Sequence, residues 1–240
     1  MTGESLHISD ASSILRQTKQ YLRQQEGLYG SEIYLTNTDL LKKPVKSSKN
    51  SLKQLGETLS QCRMCSLFQT RRHVVFGSGP ENAALMLIGE APGEEEDRTG
   101  KPFVGKAGQL LDKILEAIDF SRDDVYITNI LKCRPPMNRD PKPEEITTCL
   151  PFLQNQIALI RPKIILALGR IAAQTLSGST NPLSRLRGQT HAFDHIPFLA
   201  TYHPAALLRH AEWKKPTWED IKNLRRLYDR HVGDKPAWRQ

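Results

Sequence analysis

The sequence has no long apolar run. Its longest uncharged apolar stretches, Ala83–Ile88 and Ile164–Leu168, fall far short of the roughly 20 residues that cross a bilayer. No basic-then-apolar leader opens it, so a secretory signal is not expected. It has four cysteines, Cys62, Cys65, Cys133 and Cys149. In a chain with no export signal these suggest a metal or cluster site more than two disulfides. Internal repeats and low-complexity blocks are missing, and so are the G-x-G-x-x-G and Lys-Ser/Thr phosphate loops. Membrane-spanning, fibrous and secreted disulfide-scaffold classes are set aside on these grounds, and a cytoplasmic setting is expected.

What is present is ordinary for a globular chain with its own core. The 240 residues are 38% hydrophobic and 25% charged. There are 34 Lys and Arg against 26 Asp and Glu, a net charge of +8. That balance raises the chance of a polyanionic partner, nucleic acid first. Residues 1–55 read as a mildly basic arm and linker, with helical spacing over Ala11–Glu26 and a Lys/Ser-rich stretch over Leu41–Ser51. The main domain is expected over 56–232, with a short tail over 233–240.

Within the domain, short apolar runs alternate with helical spacing. Ala83–Ile88, Val125–Leu131, Ile164–Leu168 and Pro197–Tyr202 read as four strands. Helices are expected over Gly108–Ile118, from Pro143, from Ile171 and from near Pro216, the last stacking Trp218, Ile221, Leu224 and Leu227. Pro143 followed by Glu144 and Glu145 is a good helix start, and Pro151 is expected to begin a further helix. The alternation predicts an α/β fold: three α/β/α layers around a mostly parallel four-stranded sheet. In such sheets the ligand lies beyond the carboxyl ends of the strands. That edge collects Gly89 to Gly93, Asn129, Gly169 and His203.

The chemistry-bearing residues cluster in the same places. Cys62 and Cys65 form a C-x-x-C, and Cys133 and Cys149 follow with fifteen residues between them. Four thiolates suit a [4Fe–4S] cluster or Zn²⁺, and softness and count do not choose between them. The plainer reading is that Cys133 and Cys149 are buried, inert thiols. Glu94, Glu95, Glu96 and Asp97 would repel a phosphate, so acids here suit water positioning or stabilisation of positive charge. Some of them are simply a solvated turn, and Glu90, nearest the strand end, is the favoured functional acid. Phe103, between Pro102 and a Gly-containing turn, suits stacking on a planar ligand, although a lone Phe is usually core. Asn129 ends an apolar strand with an amide able to read the edge of a base. His191 and His195 are placed on the surface, and His203 is the better candidate.

Three runs then stand out together: GEAPGEEEDRTGKPFVGKAGQLLDKIL, TNILKCRPPMNRDPKPEEI and YHPAALLR. From about Gly56 to Val232 the chain resembles family 4 uracil-DNA glycosylase, the iron–sulfur branch of its superfamily. The resemblance implies a DNA repair glycosylase that flips uracil out of single- or double-stranded DNA and hydrolyses its N-glycosidic bond. It implies Glu90 at the water or the transition state, Phe103 stacked on uracil, Asn129 reading its Watson–Crick edge and His203 at O2. Gly89 and Ala91 belong to the substrate-binding motif, and Ala91 stands where some relatives carry a water-activating Asp. Glu96 and Asn138 match supporting positions. Leu207, Leu208 and Arg209 match the loop that fills the gap left by the extruded base, and Arg134 and Arg209 are expected at phosphates. Cys62, Cys65, Cys133 and Cys149 match the [4Fe–4S] ligands. A monomer is expected. The alternatives are a related member acting on another deaminated base such as hypoxanthine, a member that holds uracil covalently, and a non-enzymatic DNA-binding module. The covalent branch carries GEQPG and a His-containing loop after the second strand, neither of which is present.

Overall fold

A computed structural model describes residues 51–236 and 238; the helix expected over Ala11–Glu26 lies outside them. Three strands are runs buried at every position: β1 (Leu85–Gly89), β2 (Val125–Asn129) and β3 (Ile164–Leu168). Unbroken apolar runs of this kind belong to a parallel sheet covered on both faces. With β4 (His191–Phe193) and β5 (Ile196–Thr201) they form one sheet in the order β2-β1-β3-β5-β4. All neighbours pair in parallel except β4 and β5. The sheet therefore holds the four expected strands plus an antiparallel edge strand. Asp194 and His195, both at positive φ, make the tight turn between β4 and β5. Three residues without alternation or glycine carried too little signal to be seen in the sequence. His195 is exposed, but His191 is half-buried, with its ring stacked on Phe198 at 5.1 Å and Nε2 2.6 Å from the Leu186 carbonyl.

Successive side chains of each strand enter opposite layers. Met86, Ile88, Ile165 and Ala167 pack with α4 (Pro143–Ile160) and α5 (Arg170–Ser177). Leu85, Leu87, Ile164 and Leu166 pack with α3 (Lys106–Glu116) and α8 (Lys214–His231). Two shorter helices, α1 (Leu52–Ser60) and α2 (Glu94–Thr99), precede α3. Ser51 and Gln54 form a capping box on α1, and Leu52, Leu55 and Leu59 are buried. This helix begins inside the segment assigned to the arm.

Pro151 does not start a new helix. It lies within α4, which runs unbroken from Pro143 to Ile160. Pro151 is exposed, so the carbonyl it strands faces water, while Cys149 and Leu153 on either side are buried and hold the helix to the sheet. Trp218 also departs from expectation. It stays 38% exposed, edge-on to Trp238, while Ile221, Leu224 and Leu227 supply the buried face of α8.

The tail is tied to the domain. Arg225, with no exposed surface, donates to the carbonyls of Ile118 (2.6 Å) and Pro236 (2.5 Å) and to Asp229 (2.8 Å). Lys235 pairs with Asp124 at 2.5 Å, and the Trp238 indole donates to the Ala117 carbonyl. Each buried acceptor left without a partner costs about 1–3 kcal/mol. Arg225→Ala is therefore expected to lower unfolding stability by about 3 kcal/mol in a urea titration. The exposed Arg230→Ala should stay within about 0.5 kcal/mol of the parent. Equal effects would show that the buried guanidinium is not a structural tie.

Candidate active site

The register of the sheet sets the site. Leu85 to Gly89 pair in step with Val125 to Asn129, so Gly89 and Asn129 are direct neighbours at one edge. Leu168 pairs with Thr201, which brings Gly169 and His203 to the same edge. Beyond these ends lies a cleft of about 610 Å³. Glu90, Ala91, Glu96 and Phe103 line it from the first motif. Asn129 and Asn138 enter from the second motif, and His203 and Arg209 from the third. Gly89 lies beneath the wall.

Gly89 is where the fold has no room for a side chain. A Cβ there would lie 2.3 Å from Asn129 Oδ1 and 2.7 Å from the Phe103 ring. Asn129 is 2% exposed, and its Oδ1 is a buried side-chain oxygen with no hydrogen-bond partner. Buried polar groups are almost always paired, so this acceptor marks the place of a ligand donor.

Phe103 adopts a left-handed backbone, φ 53°, which costs a non-glycine residue about 1–2 kcal/mol. Its loop is clamped to hold it there. Glu96 Oε1 accepts from the amides of Val104 (3.0 Å) and Gly105 (3.2 Å), and Oε2 from that of Gly93 (3.0 Å). Arg122 donates to the carbonyls of Pro102 and Phe103 and pairs with Asp112. The α3 backbone at Gly108 passes so close that a Cβ there would meet the Phe103 carbonyl oxygen at 1.8 Å. Both oxygens of Glu96 are thus engaged with backbone amides, which makes it a positioning residue for the Phe103 loop.

His203 is fixed by its own helix. It precedes α7 (Pro204–Leu207), and its Nδ1 accepts from the Ala205 amide at 3.1 Å. Nδ1 therefore carries no proton, and in the neutral ring the proton sits on Nε2. Burial pushes the His203 pKa down to about 4; Glu96 opposes the shift and Arg209 adds to it. At neutral pH the group is an uncharged Nε2–H donor. Its ring stacks against Phe103 with centroids 5.4 Å apart.

Glu90 faces the other side of the cleft. Burial raises its pKa to about 7, Asp140 raises it further and Arg170 opposes both. Arg170 and Asp140 are themselves paired at 2.5 Å. Neither was singled out from the sequence, although Arg170 follows the end of β3 and Asp140 lies within the second motif. Tyr202 and Trp213, on the wall beside His203, were missed as well.

The remaining expected residues are placed less evenly. Asn138, exposed and at φ 55°, accepts from Arg134 Nε at 2.8 Å. Arg134 also lies 3.7 Å from Glu94. Leu207 is 3% exposed and packs inward, so it presents no surface to DNA. Leu208, 52% exposed, and Arg209 are the outward residues of that loop.

The four cysteines line a second, narrow cavity, with Phe68 and Phe152 in its wall. Cys133 and Cys149 are buried, and Cys62 and Cys65 half-buried. Arg71 joins the set: it donates to Cys133 Sγ at 3.2 Å and to the Cys62 carbonyl at 2.8 Å. Burial pushes the Cys133 thiol up to about 11 and the Cys149 thiol upward too. Among the described residues no three His, Cys, Asp or Glu side chains are grouped to hold a metal ion. Lys132, fully buried, lies between this cavity and the cleft. Its ammonium donates to Asn129 O (2.7 Å), Thr128 Oγ1 (2.6 Å) and Gln156 Oε1 (2.6 Å).

Known proteins match over the same part of the chain. The family model of the uracil DNA glycosylase superfamily matches residues 76–222. A type-4 uracil-DNA glycosylase of Sulfurisphaera tokodaii is 42% identical over 187 residues, 74% of this chain and 85% of the relative. One of Archaeoglobus fulgidus is 41% identical over 185 residues, 74% of this chain and 93% of the relative. Another, of Saccharolobus solfataricus, is 41% identical over 185 residues, 73% of this chain and 86% of the relative. The family match runs from before β1 to inside α8 and so takes in every strand end that faces the cleft. By that match, the chain belongs to the uracil DNA glycosylase superfamily.

Proposed function

We propose that this chain is a uracil-DNA glycosylase of base excision repair, releasing free uracil and leaving an abasic site. The observation that carries the reading is the unpaired Asn129 Oδ1, buried beside Phe103 and His203. Uracil offers a donor at N3 and an acceptor at O4, which one amide satisfies by accepting from the first and donating to the second. The base must leave the stack to reach this depth. Phe103 takes its face, and Leu208 fills the gap it leaves. Arg209 and Arg134 contact phosphates, which position the strand without reading it. The cleft takes the extruded base from single- or double-stranded DNA, and the chain acts as a cytoplasmic monomer. The part before α1 supplies no residue of the cleft, so residues 1–50 are dispensable for the chemistry.

Cleavage develops negative charge on uracil and positive charge on the sugar. His203 Nε2–H donates to O2 as the anion forms. A neutral donor held by the Ala205 amide needs no reorganisation at that moment, which is the basis of oxyanion stabilisation. Glu90, once ionised, lies against the sugar cation and orients the attacking water. Ala91 offers no second base. Release of uracil from a single-stranded oligonucleotide, with hypoxanthine and cytosine oligonucleotides as controls, tests the reading.

Cys62, Cys65, Cys133 and Cys149 suit a [4Fe–4S] cluster. A single zinc draws its sulfurs to within about 2.3 Å of one centre. Four thiols around one cavity without such a convergence fit the wider spacing of cluster ligands. Bound there, the cluster supplies a cross-link rather than a reacting group. It joins the segment after α1, the loop after β2 and the middle of α4. Anaerobically purified protein should carry about four iron atoms per chain, and Cys149→Ser should lose both the colour and stability. Stoichiometric zinc in place of iron would overturn this assignment.

Asn129→Asp should abolish uracil release and bring a trace of cytosine release, larger at low pH. A protonated Asp donates to cytosine N3 and accepts from its amino group, whereas the wild-type amide leaves roughly 1–3 kcal/mol of mismatch at each of the two positions. Retained uracil activity with unchanged selectivity would remove Asn129 from the role of edge reader.

The pH profile follows Glu90. Uracil release should rise with pH through about 7 as the carboxyl ionises. Asp140→Asn removes a like charge and leaves Arg170 unpaired, so the midpoint should fall. Arg170→Gln should raise it. Single-turnover rates across pH 5–9 measure both, and a midpoint unmoved in either variant would mean that Glu90 does not set the profile.

A further inference from the structure

Beside the cleft, four planar groups stack in one column. Arg187 is anchored at its inner end by Asp220 at 2.9 Å and by the Pro216 carbonyl. Its guanidinium lies 5.1 Å from the Tyr202 ring centroid. Tyr202 stacks on Trp213 at 4.6 Å and 16°, and Trp213 stacks on His210 at 4.2 Å and 23°. Tyr202 and His210 share no ring contact among the described residues, so they occupy opposite faces of the indole. The column is closed at Arg187, whose side chain is 18% exposed, and open at His210, 44% exposed.

Its place in the chain is as telling as its geometry. Tyr202 directly precedes His203, and His210 directly follows Leu208 and Arg209. The outward loop is therefore held at both ends by the same stack. Tyr202 and Trp213 are part of the cleft wall, so the column is continuous with the site that takes the extruded base.

We propose that His210 is a base-stacking subsite, on whose open face the nucleobase next to the extruded uracil rests. The proposal rests on the glycosylase reading above. When Leu208 replaces uracil in the strand, each flanking base loses a stacking partner. Every base has a π face, and an aromatic ring already ordered by its own stack receives one without losing further freedom. The occupant is a base of any identity in the same strand. Stacking does not read base edges, so the subsite adds affinity without sequence preference.

The test uses the full chain and a single-stranded oligonucleotide carrying 2′-fluoro-deoxyuridine, which resists cleavage, with 2-aminopurine on its 5′ or its 3′ side. Binding should quench the fluorescence of one of the two neighbours. His210→Ala should abolish the quench and weaken binding about 10-fold, with the loss in uracil release falling on KM more than on kcat. His210→Phe should restore both, and the salt dependence of binding should keep its slope because no ionic contact is removed. If 2-aminopurine on both sides brightens in the parent as it does in His210→Ala, the subsite is overturned. It is also overturned if His210→Phe fails to rescue while its melting temperature matches the parent. Failure of the parent to release uracil from the unfluorinated oligonucleotide would instead sink the glycosylase reading itself, so the two failures are distinguishable.

Discussion

The site depends on one close approach: the missing side chain at Gly89. Parallel pairing places Gly89 directly beside Asn129, and the Phe103 ring closes over the same point. With no Cβ between them, an amide and an aromatic face meet at the floor of the cleft. Much of the surrounding structure serves to hold Phe103 there against its strained backbone. Glu96, Arg122 and the α3 backbone at Gly108 all bear on that one loop. The acidic run that opens α2 therefore acts partly through geometry: the carboxylate of Glu96 is a clamp on backbone amides.

Two titratable groups face the cleft in different states because their surroundings differ. His203 is buried and has its Nδ1 engaged, so it stays neutral with a proton directed from Nε2. Glu90 is half-buried near an ion pair, and its acidity is a balance between burial and Asp140 on one side and Arg170 on the other. A neutral donor where negative charge develops and an ionisable acid where positive charge develops form a complementary pair for heterolytic cleavage of a base from its sugar. Lys132 links this cleft to the cysteine cavity, since its ammonium holds the Asn129 carbonyl while its neighbour Cys133 faces the thiols. Base reading and the cysteine cross-link thus share one short segment after β2.

Much of the architecture was legible in the sequence, because buried parallel strands announce themselves as unbroken apolar runs. Four of the five strands were read that way, and their carboxyl ends led directly to Glu90, Asn129 and His203. The edge strand β4 was not readable, since three half-exposed residues carry no periodicity. Pro151 misled for a related reason. Its local propensity argues for a break, yet the buried residues on either side keep the helix continuous.

By itself the sequence determined the layered fold, the common edge at which the motifs meet, and the presence of four thiols in two distant pairs. Each of these follows from local pattern and from the register of neighbouring strands. The tertiary structure alone decided the roles within that edge. Glu96 became a backbone clamp because Gly93, Val104 and Gly105 turn their amides toward it. Leu207 turned inward and Leu208 outward because α7 packs on the body of the domain. The ionisation of Glu90 and the tautomer of His203 were set by burial, by the Arg170–Asp140 pair and by one backbone amide. Those are properties of distance and desolvation between atoms far apart along the chain, and no spacing in the sequence encodes them.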